Sequence, residues 1–387
     1  MKKILPIVSI VIVVIGLGLV FRGYLPKQVV PLAETTEPVA SEAATSRGYK
    51  IVEVARGLHV PWAMAFANPT RMLLTERNGR IRVIVEGKLI DKPVYTFPDV
   101  WEQSEAGLLG LAIDPEYQTN KYFYASLTYV RDGNYFLKVV RLKDEADKVA
   151  VDKVILDNVA ASSNHDGSRI KFGPDKKLYI TTGDATKGDL AQDPKSLNGK
   201  MLRLNSDGSV PLDNPTFGSA VYSYGHRNSQ GFDWDPRNGK LWATEHGPSG
   251  FDGPGGGDEI NLIKPGRNYG WPLVSHEKTL TGTEAPKLLF TPAVAPSGAM
   301  FYKGNLLPQF KNNFFFGALR GEGIYRLVID DEKVISFEKM AKVDLGRVRE
   351  IIEGPDGAIY FSTSNTDGRG RVRTGDDKIY KIVPNGK

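Results

Sequence analysis

Two polar segments in the middle of the chain carry the residue types that acid–base catalysis uses. His165 stands in SSNHDGSR and Asp184 stands in TTGD, each next to a β-rich segment. A neutral imidazole that a carboxylate orients can take a proton from a hydroxyl group near neutral pH. Taken alone, His165 could equally be an ordinary loop histidine and Asp184 a turn-capping residue. The catalytic interpretation therefore depends on a fold that brings the two segments together.

Arginines form a second group of candidates, accompanied by one amide and one further carboxylate. These residues lie at the borders of apolar segments: Glu105, Arg227, Asn228, Arg320, Arg347 and Arg349. Arginine can bind a carboxylate through two parallel hydrogen bonds. Several arginines on one small surface need anions, so the pattern predicts either protein carboxylates or a polyacidic ligand nearby.

A glycine-rich segment, 253–257, precedes Asp258 and Glu259 in GGGDEINL. Hard oxygen donors next to free backbone carbonyls suit Ca²⁺. The spacing is not that of an EF-hand loop. It is not a phosphate loop either, since no Lys-Ser/Thr follows and no helix begins there. The residues alone therefore indicate a calcium site only in general terms.

From Tyr49 onward the chain repeats a pattern of a short apolar strand, a turn that contains proline, and a second apolar strand. The turn prolines are unequally spaced: Pro69, Pro115, Pro174, Pro236, Pro308 and Pro355. Unequal spacing argues against a solenoid. Six small sheets in series, with third strands close behind the second ones, predict an all-β fold. That fold is a six-bladed β-propeller of four-stranded antiparallel blades.

Ring closure follows from the same pattern. The segment 51–55 (IVEVA) is predicted to pair with 378–383 (KIYKIV), which removes two exposed strand edges. The main alternative is a pair of β-sandwich domains, although no linker divides the sequence. In a propeller of antiparallel blades, the start of each first strand and the end of each second strand share one face. The candidate residues are therefore predicted to meet at one mouth of the central channel.

Composition and the N-terminal region limit the possible classes of protein. The chain has 387 residues, no cysteine and a net charge of +5 without a basic tract, so no nucleic-acid partner is predicted. Residues 1–24 hold two lysines and then a charge-free run, which is typical of a cleaved signal peptide or a membrane anchor. Either one predicts export, to the periplasm, the exterior or the outer face of the cytoplasmic membrane. The low apolar content of residues 25–48 predicts a flexible linker. The repeated strand pattern predicts that residues 49–387 form the propeller domain.

Longer motifs reveal a resemblance that covers almost the whole globular part, from about Gly57 to Val383. The motifs are GLLGLAIDPEY, NHDGSRIKFGPDKKLYITTGD, GKMLRLNSDGSVPLDNP, GHRNSQGFDWDP, EHGPSG, DEINLI, NYGWP and GRVREIIEGPDG. In this order and combination the chain resembles the soluble glucose dehydrogenases that depend on pyrroloquinoline quinone (PQQ), in particular the aldose sugar dehydrogenase branch. The resemblance implies a six-bladed propeller that binds PQQ and Ca²⁺ at one end of its axis.

The resemblance also implies roles for single residues. His165 would take the proton from the anomeric hydroxyl while hydride passes to PQQ, with Asp184 orienting the imidazole. Arg227 would polarise the quinone oxygens, and Asn228 would line the same pocket. Further residues would contact the cofactor or its carboxylates: Glu105, Arg320, Arg347 and Arg349. Two sets of oxygen ligands would hold Ca²⁺: the carbonyls of Gly247 and Pro248 beside the quinone, and Glu259 with the Tyr269 carbonyl at a structural site.

The chain departs from the glucose enzymes in three places. Glu105 stands where they have glutamine, which adds a negative charge beside the cofactor. Arg320 stands where they have lysine, which keeps the charge but alters the geometry. The segment after Asp184 is much shorter, so a more open site and a broad range of aldoses are expected.

Three functions remain open at this point. The first is an exported PQQ- and calcium-dependent dehydrogenase that oxidises the C1 hydroxyl of aldose sugars to lactones and passes electrons to a quinone, dye or redox protein. The second is a calcium-dependent hydrolase of the lactonase type, which would need carboxylates and an asparagine directly on an axial metal. The third is a non-catalytic propeller that binds sugar or protein and would tolerate loss of His165.

Overall fold

The computed structural model describes residues 29–31, 39–40, 48–145, 148–340 and 343–386. The hydrophobic segment 1–24 lies outside these ranges, so signal peptide and membrane anchor both stay predictions. Among the residues that are described, no helix combines the length and apolar character needed to cross a bilayer.

Most of the described strands form six sheets arranged as blades, antiparallel throughout except where β2 pairs parallel with β25. The first four strands of the chain include three that lie before blade 1 and one that begins it. They are β1 (Val29–Pro31), β2 (Val39–Ala40), β3 (Tyr49–Ala55) and β4 (Pro61–Asn68). Blade 1 consists of β4 with β5 (Arg71–Glu76), β6 (Arg80–Val85), β7 (Lys88–Leu89) and β8 (Tyr95–Thr96). Blade 2 contains β9 (Leu108–Ile113), the short helix α1 (Tyr117–Asn120), β10 (Tyr122–Arg131), β11 (Asn134–Asp144) and β12 (Val149–Ala160). Blade 3 contains β13 (Gly167–Phe172), β14 (Leu178–Thr182), a 3₁₀ turn (Gly188–Ala191), β15 (Lys200–Leu204) and β16 (Val221–Tyr224).

The second half of the ring repeats this order. Blade 4 contains β17 (Ser229–Trp234), β18 (Leu241–Glu245), β19 (Asp258–Ile263) and β21 (Leu288–Phe290), while β20 (Lys278–Leu280) pairs with β1. Blade 5 contains β22 (Pro296–Phe301), a 3₁₀ turn (Pro308–Phe310), β23 (Phe314–Ala318), β24 (Gly323–Asp330) and β25 (Lys333–Lys339), with β2 added at its edge. Blade 6 contains β26 (Val348–Glu353), β27 (Ile359–Thr363) and β28 (Ile379–Pro384).

The ring closes through the first strand of the body. β3 is the fourth strand of blade 6 and pairs antiparallel with β28, with Ile51 opposite Ile382. The first strands β4, β9, β13, β17, β22 and β26 each contact the next, and β26 contacts β4. This arrangement confirms the predicted six-bladed propeller and its closure, and it excludes the pair of β-sandwiches.

Apolar side chains hold the blades to one another. Each of the six buried clusters in the described part of the chain lies between two neighbouring blades. Trp62 of blade 1, for example, packs with Leu108 of blade 2, and Tyr49 packs with Met300 and Phe361 where blades 5 and 6 meet. Because each blade buries apolar surface on both sides, the ring forms a rigid frame for the loops at its ends.

Candidate active site

The predicted site residues lie at strand ends on one face of the ring. Glu105 and His165 precede the first strands β9 and β13, and Arg227 with Asn228 directly precedes β17. Asp184 and Arg320 each follow a second strand, two residues after β14 and β23 respectively. Arg347 directly precedes β26. Arg349 was expected before that strand but lies inside it, because pairing in β26 already begins at Val348.

His165 and Asp184 form a buried pair at this face. Nδ1 of His165 lies 2.8 Å from Oδ1 of Asp184, and Nε2 makes no hydrogen bond to the described residues. The turn is tight: His165 has φ +64, and a Cβ on Gly183 would lie 1.8 Å from the His165 carbonyl oxygen. Glycine at 183 is therefore required for the two segments to approach, which accounts for the TTGD sequence.

Trp271 completes the support of this pair, although sequence reasoning did not single it out. Its indole Nε1 donates to Oδ2 of Asp184 at 2.7 Å, while the backbone N–H of Thr186 donates to Oδ1 at 2.8 Å. Asp184 thus has donors on both oxygens besides the imidazole. Trp271 belongs to the NYGWP motif, but nothing in that motif shows which strand end its indole faces.

Glu105 lies at the centre of the mouth. Its Oε2 accepts from the His165 backbone N–H and from Asn228 Nδ2, both at 3.3 Å, and from Gln230 Nε2 at 3.5 Å. Burial opposes ionisation of Glu105, but coulombic interactions with His246, Arg369 and His165 outweigh it and lower the pKa of the carboxyl to about 2. Glu105 is therefore ionised at every physiological pH.

Arg227 is held by a loop that also covers His165. Its Nε donates to Asp252 Oδ2 at 2.7 Å and its Nη2 to Ser249 Oγ at 3.0 Å. Between these two contacts, the exposed ring of Phe251 lies over the His165 imidazole with 5.9 Å between ring centroids. The Arg227 carbonyl accepts from the Asp184 backbone N–H at 2.9 Å, so this arginine and the His–Asp pair share one wall.

Arg347 and Arg349 converge on Asp367 in the loop that follows β27. Arg347 Nε donates to Asp367 Oδ2 at 2.8 Å, and Arg349 Nη2 lies 3.5 Å from the same oxygen. Arg349 Nη1 donates to Gln230 Oε1 at 2.9 Å, which links it to Glu105 through one amide. The Nε of Arg349 is buried and has no hydrogen-bond partner. Arg349 therefore keeps one donor that no described residue uses.

Arg320 is at the same face but is not joined to this network. It is exposed, and its guanidinium makes no hydrogen bond or ion pair with the described residues. In the interior of the ring, Arg169 of β13 and Glu350 of β26 form a buried ion pair, and the Arg169 guanidinium lies 4.1 Å from the centre of the Trp62 ring system. We call the group of candidate residues at this face the cup.

The EHGP turn contributes backbone oxygens. The Gly247 N–H donates to Asp258 Oδ1 at 2.8 Å, and Asp258 Oδ2 accepts from the N–H groups of Val294 and Ala295 at 2.7 Å each. Asp258, named with Glu259 as a possible oxygen donor, therefore anchors the turn to blade 5. The Pro248 carbonyl accepts from the Gly256 N–H at 3.2 Å, and the Gly247 carbonyl accepts from none of the described N–H groups.

Glu259 lies in a separate acidic cluster behind the EHGP turn. Asn261 Nδ2 donates to Glu259 Oε2 at 2.8 Å and to Glu245 Oε2 at 3.4 Å. Burial and the charges of Glu245 and Asp258 raise the pKa of Glu259 to about 8. Glu245 also binds His226, whose ring stacks on Tyr269 at 4.6 Å between centroids. The predicted residues Glu259 and Tyr269 are thus linked through Glu245 and His226.

The short segment after Asp184 forms a wall beside the His–Asp pair. Its 3₁₀ turn is fixed by the buried Lys200, whose Nζ donates to the carbonyls of Leu190, Ala191 and Asn198 at 2.8, 3.0 and 2.7 Å. Gln192 Nε2 donates to the Trp271 carbonyl at 2.6 Å. The wall is therefore rigidly attached to the segment that supports Asp184.

Comparison with known proteins agrees with this architecture. The family model for glucose/sorbosone dehydrogenases matches residues 58–374. The chain belongs to the glucose/sorbosone dehydrogenase family. It is 32% identical to aldose sugar dehydrogenase YliI of Escherichia coli (strain K12), over 80% of this chain and 88% of that one. It is also 27% identical to quinoprotein glucose dehydrogenase B of Acinetobacter calcoaceticus, over 88% of this chain and 90% of that one.

A solved relative extends the comparison to three dimensions. The structure of the PQQ-bound form of aldose sugar dehydrogenase from Streptomyces coelicolor superimposes with a TM-score of 0.77 and is 32% identical, covering 88% of this chain and all of that one. The predicted family and fold are confirmed. This member of the glucose/sorbosone dehydrogenase family is accordingly a sugar-oxidising enzyme.

Proposed function

We propose that the protein oxidises the C1 hydroxyl of aldose sugars to lactones, with PQQ and Ca²⁺ bound at the described mouth and His165 as the general base. The observation that carries the proposal is the His165–Asp184 pair, which lies at the same face of the ring as arginines from blades 4, 5 and 6. Electrons would leave to a quinone, dye or redox protein, and the hydrophobic N-terminal segment would export the enzyme. Broad use of aldoses is expected because the segment after Asp184 is short.

The hydrogen bonds of His165 determine which nitrogen can act as base. Nδ1 is held by Asp184, which favours the tautomer with its proton on Nδ1 and leaves the lone pair of Nε2 free to accept a proton. His226 also pairs with a carboxylate, Glu245, but its Nε2 lies 2.8 Å from Ser223 Oγ. Both ring nitrogens of His226 are therefore occupied, and His165 is the better candidate.

The donor set of the mouth fits an anionic quinone. Arg227 and Arg347 are paired with Asp252 and Asp367, so protein carboxylates satisfy part of the arginine cluster. Arg320 and the Nε of Arg349 keep donors that no described residue uses. PQQ carries three carboxylates and, when bound, would supply the hydride-accepting quinone. Arg320, Arg347 and Arg349 would hold its carboxylates, Arg227 would polarise the quinone oxygens, and Asn228 and Glu105 would line the pocket.

Calcium would be held mainly by backbone oxygens. In the described residues no three side chains of His, Asp or Glu are placed to hold a metal ion. As the resemblance implies, the carbonyls of Gly247 and Pro248 would serve Ca²⁺ at the mouth, where it would polarise the quinone as a Lewis acid. The same side-chain geometry counts against a lactonase-type metal centre, because that centre needs carboxylates grouped around an axial metal.

A second Ca²⁺ would relieve the repulsion between Glu259 and Glu245, with the Tyr269 carbonyl as a further ligand. We expect Ca²⁺ at 100 times its Kd to stabilise the wild type by about 2.7 kcal/mol for each occupied site and to raise Tm by a few degrees per site. Glu259→Gln should lose the part of this rise that belongs to the second site. Glu284→Gln, which removes a surface partner of Lys264 and Arg267, is the control. Differential scanning fluorimetry measures Tm for each variant. If the Glu259 variant shows the full calcium-dependent rise in Tm, the assignment is contradicted.

Trp271→Phe should lower kcat by about 10-fold and leave quinone affinity unchanged, because the Asp184 carboxylate loses one hydrogen bond worth roughly 1.5 kcal/mol. Trp242→Phe is a matched control, since the buried Nε1 of Trp242 has no hydrogen-bond partner. Steady-state kinetics with saturating quinone measure the effect. Equal kcat values for the two variants would remove Trp271 from the support of the base.

Reconstitution tests the proposal as a whole. Purified protein is incubated with PQQ and Ca²⁺, and reduction of an artificial dye is followed with several aldoses. The proposal predicts dye reduction that requires both additions, together with a change in the quinone absorbance spectrum when sugar is added. Hydrolysis of a lactone without added quinone would support the hydrolase instead, and quinone binding without any sugar oxidation would support a binding module.

A further inference from the structure

Arg369 reaches across the mouth from blade 6 to the loops before blades 2 and 3. Its Nη1 donates to Glu105 Oε1 at 2.8 Å, and its Nη2 donates to Ser104 Oγ at 2.9 Å and to Asn164 Oδ1 at 2.7 Å. The guanidinium is half exposed, so it faces the solvent side of the cup while it contacts the carboxylate. Arg369 thereby links blade 6 to the loops before blades 2 and 3 at the site itself.

The two oxygens of Glu105 therefore serve different partners. Oε1 binds Arg369, whereas Oε2 accepts only from neutral donors, namely Asn228, Gln230 and the His165 backbone N–H. The other carboxylates that bind mouth arginines, Asp252 and Asp367, are engaged by Arg227 and by Arg347 with Arg349. Among the described arginines, only Arg369 lies within ion-pair distance of Glu105.

We propose that Arg369 is a positioning residue of the cofactor site, which neutralises Glu105 and so lets a carboxylate at this position coexist with a polyanionic quinone. The inference rests on the proposed function, because it needs an anionic ligand beside Glu105. An uncompensated carboxylate would repel that ligand, and in a partly buried cup such repulsion is weakly screened. Glutamate at position 105 and arginine at position 369 act as one neutral unit.

A set of charge-matched variants tests the proposal through binding and not through turnover. PQQ is titrated, in the presence of Ca²⁺, into the wild type and into Arg369→Gln, Glu105→Gln and the double variant, and Kd is measured from quenching of protein fluorescence. We expect Arg369→Gln to weaken binding about 10- to 100-fold. The double variant should return to within about 3-fold of the wild type, because no unpaired carboxylate remains.

Arg373→Gln is the control from the same loop. Arg373 Nη1 donates to the Asp344 carbonyl at 2.9 Å, and Arg373 forms no hydrogen bond or ion pair with Glu105 among the described residues, so its variant should bind PQQ as the wild type does. An unchanged Kd in Arg369→Gln overturns the proposal. So does a double variant that stays as weak as the single one, since Arg369 would then act on the quinone directly or on the loop. If the wild type itself fails to bind PQQ, it is the proposed function that fails.

Discussion

Replacing His165 with alanine is expected to lower turnover by at least about 10²-fold while PQQ remains bound, because the variant loses the group that accepts the hydroxyl proton. The expectation follows from the hydrogen bonds of the imidazole. Asp184 holds Nδ1 at 2.8 Å, and Asp184 is itself fixed by Trp271 and Thr186, so the free Nε2 has one defined direction. Steady-state kinetics with a dye acceptor, combined with a separate PQQ titration, measure both quantities.

His59→Ala is the matched control for this variant. His59 Nε2 also lies 2.8 Å from a carboxylate, Glu102, but that pair is partly exposed. Loss of this pair should leave turnover near that of the wild type. Near-normal turnover in the His165 variant would exclude this residue as the base and would favour the non-catalytic interpretation of the propeller.

Arg349→Ala should weaken PQQ binding by about 10- to 100-fold, because a charge-assisted hydrogen bond contributes roughly 1.5–3 kcal/mol. Arg349 is buried and lies within β26, the first strand of blade 6. Its Nε has no hydrogen-bond partner among the described residues. A ligand carboxylate would satisfy that donor. Arg347 is bound more completely, by Asp367 and by the Leu319 carbonyl, so its alanine variant should show a smaller loss.

The measurement is a fluorescence titration of PQQ, which does not depend on catalysis. Arg326→Ala serves as the control, since Arg326 is a largely buried arginine that pairs with Glu338 on the outer strands of blade 5. The control should bind PQQ with unchanged affinity. An unchanged Kd for Arg349→Ala would contradict its assignment to the cofactor carboxylates and would leave Asp367 as its functional partner.

Several features of the fold could be predicted because they depend on patterns that are local in the chain. The alternation of apolar strands with turns identified the second and third strands of all six blades, and the first segment was correctly paired with the last. Arg349 shows the limit of this reasoning. Its position relative to β26 depends on hydrogen bonds to β27, and a boundary shift of one or two residues moves it from the rim into the strand.

The sequence by itself determined the family, the propeller and the set of chemically capable residues, since these follow from motif order, strand periodicity and residue type. Only the tertiary structure decided the partners. Asp252 was found on Arg227, Asp367 on Arg347, Trp271 on Asp184 and Arg369 on Glu105. Arg369 and Glu105 lie 264 positions apart and meet because the blades close into a ring. Such pairings depend on where each side chain lies to within about an ångström. No local sequence pattern determines this for two loops that become neighbours only when the whole ring closes.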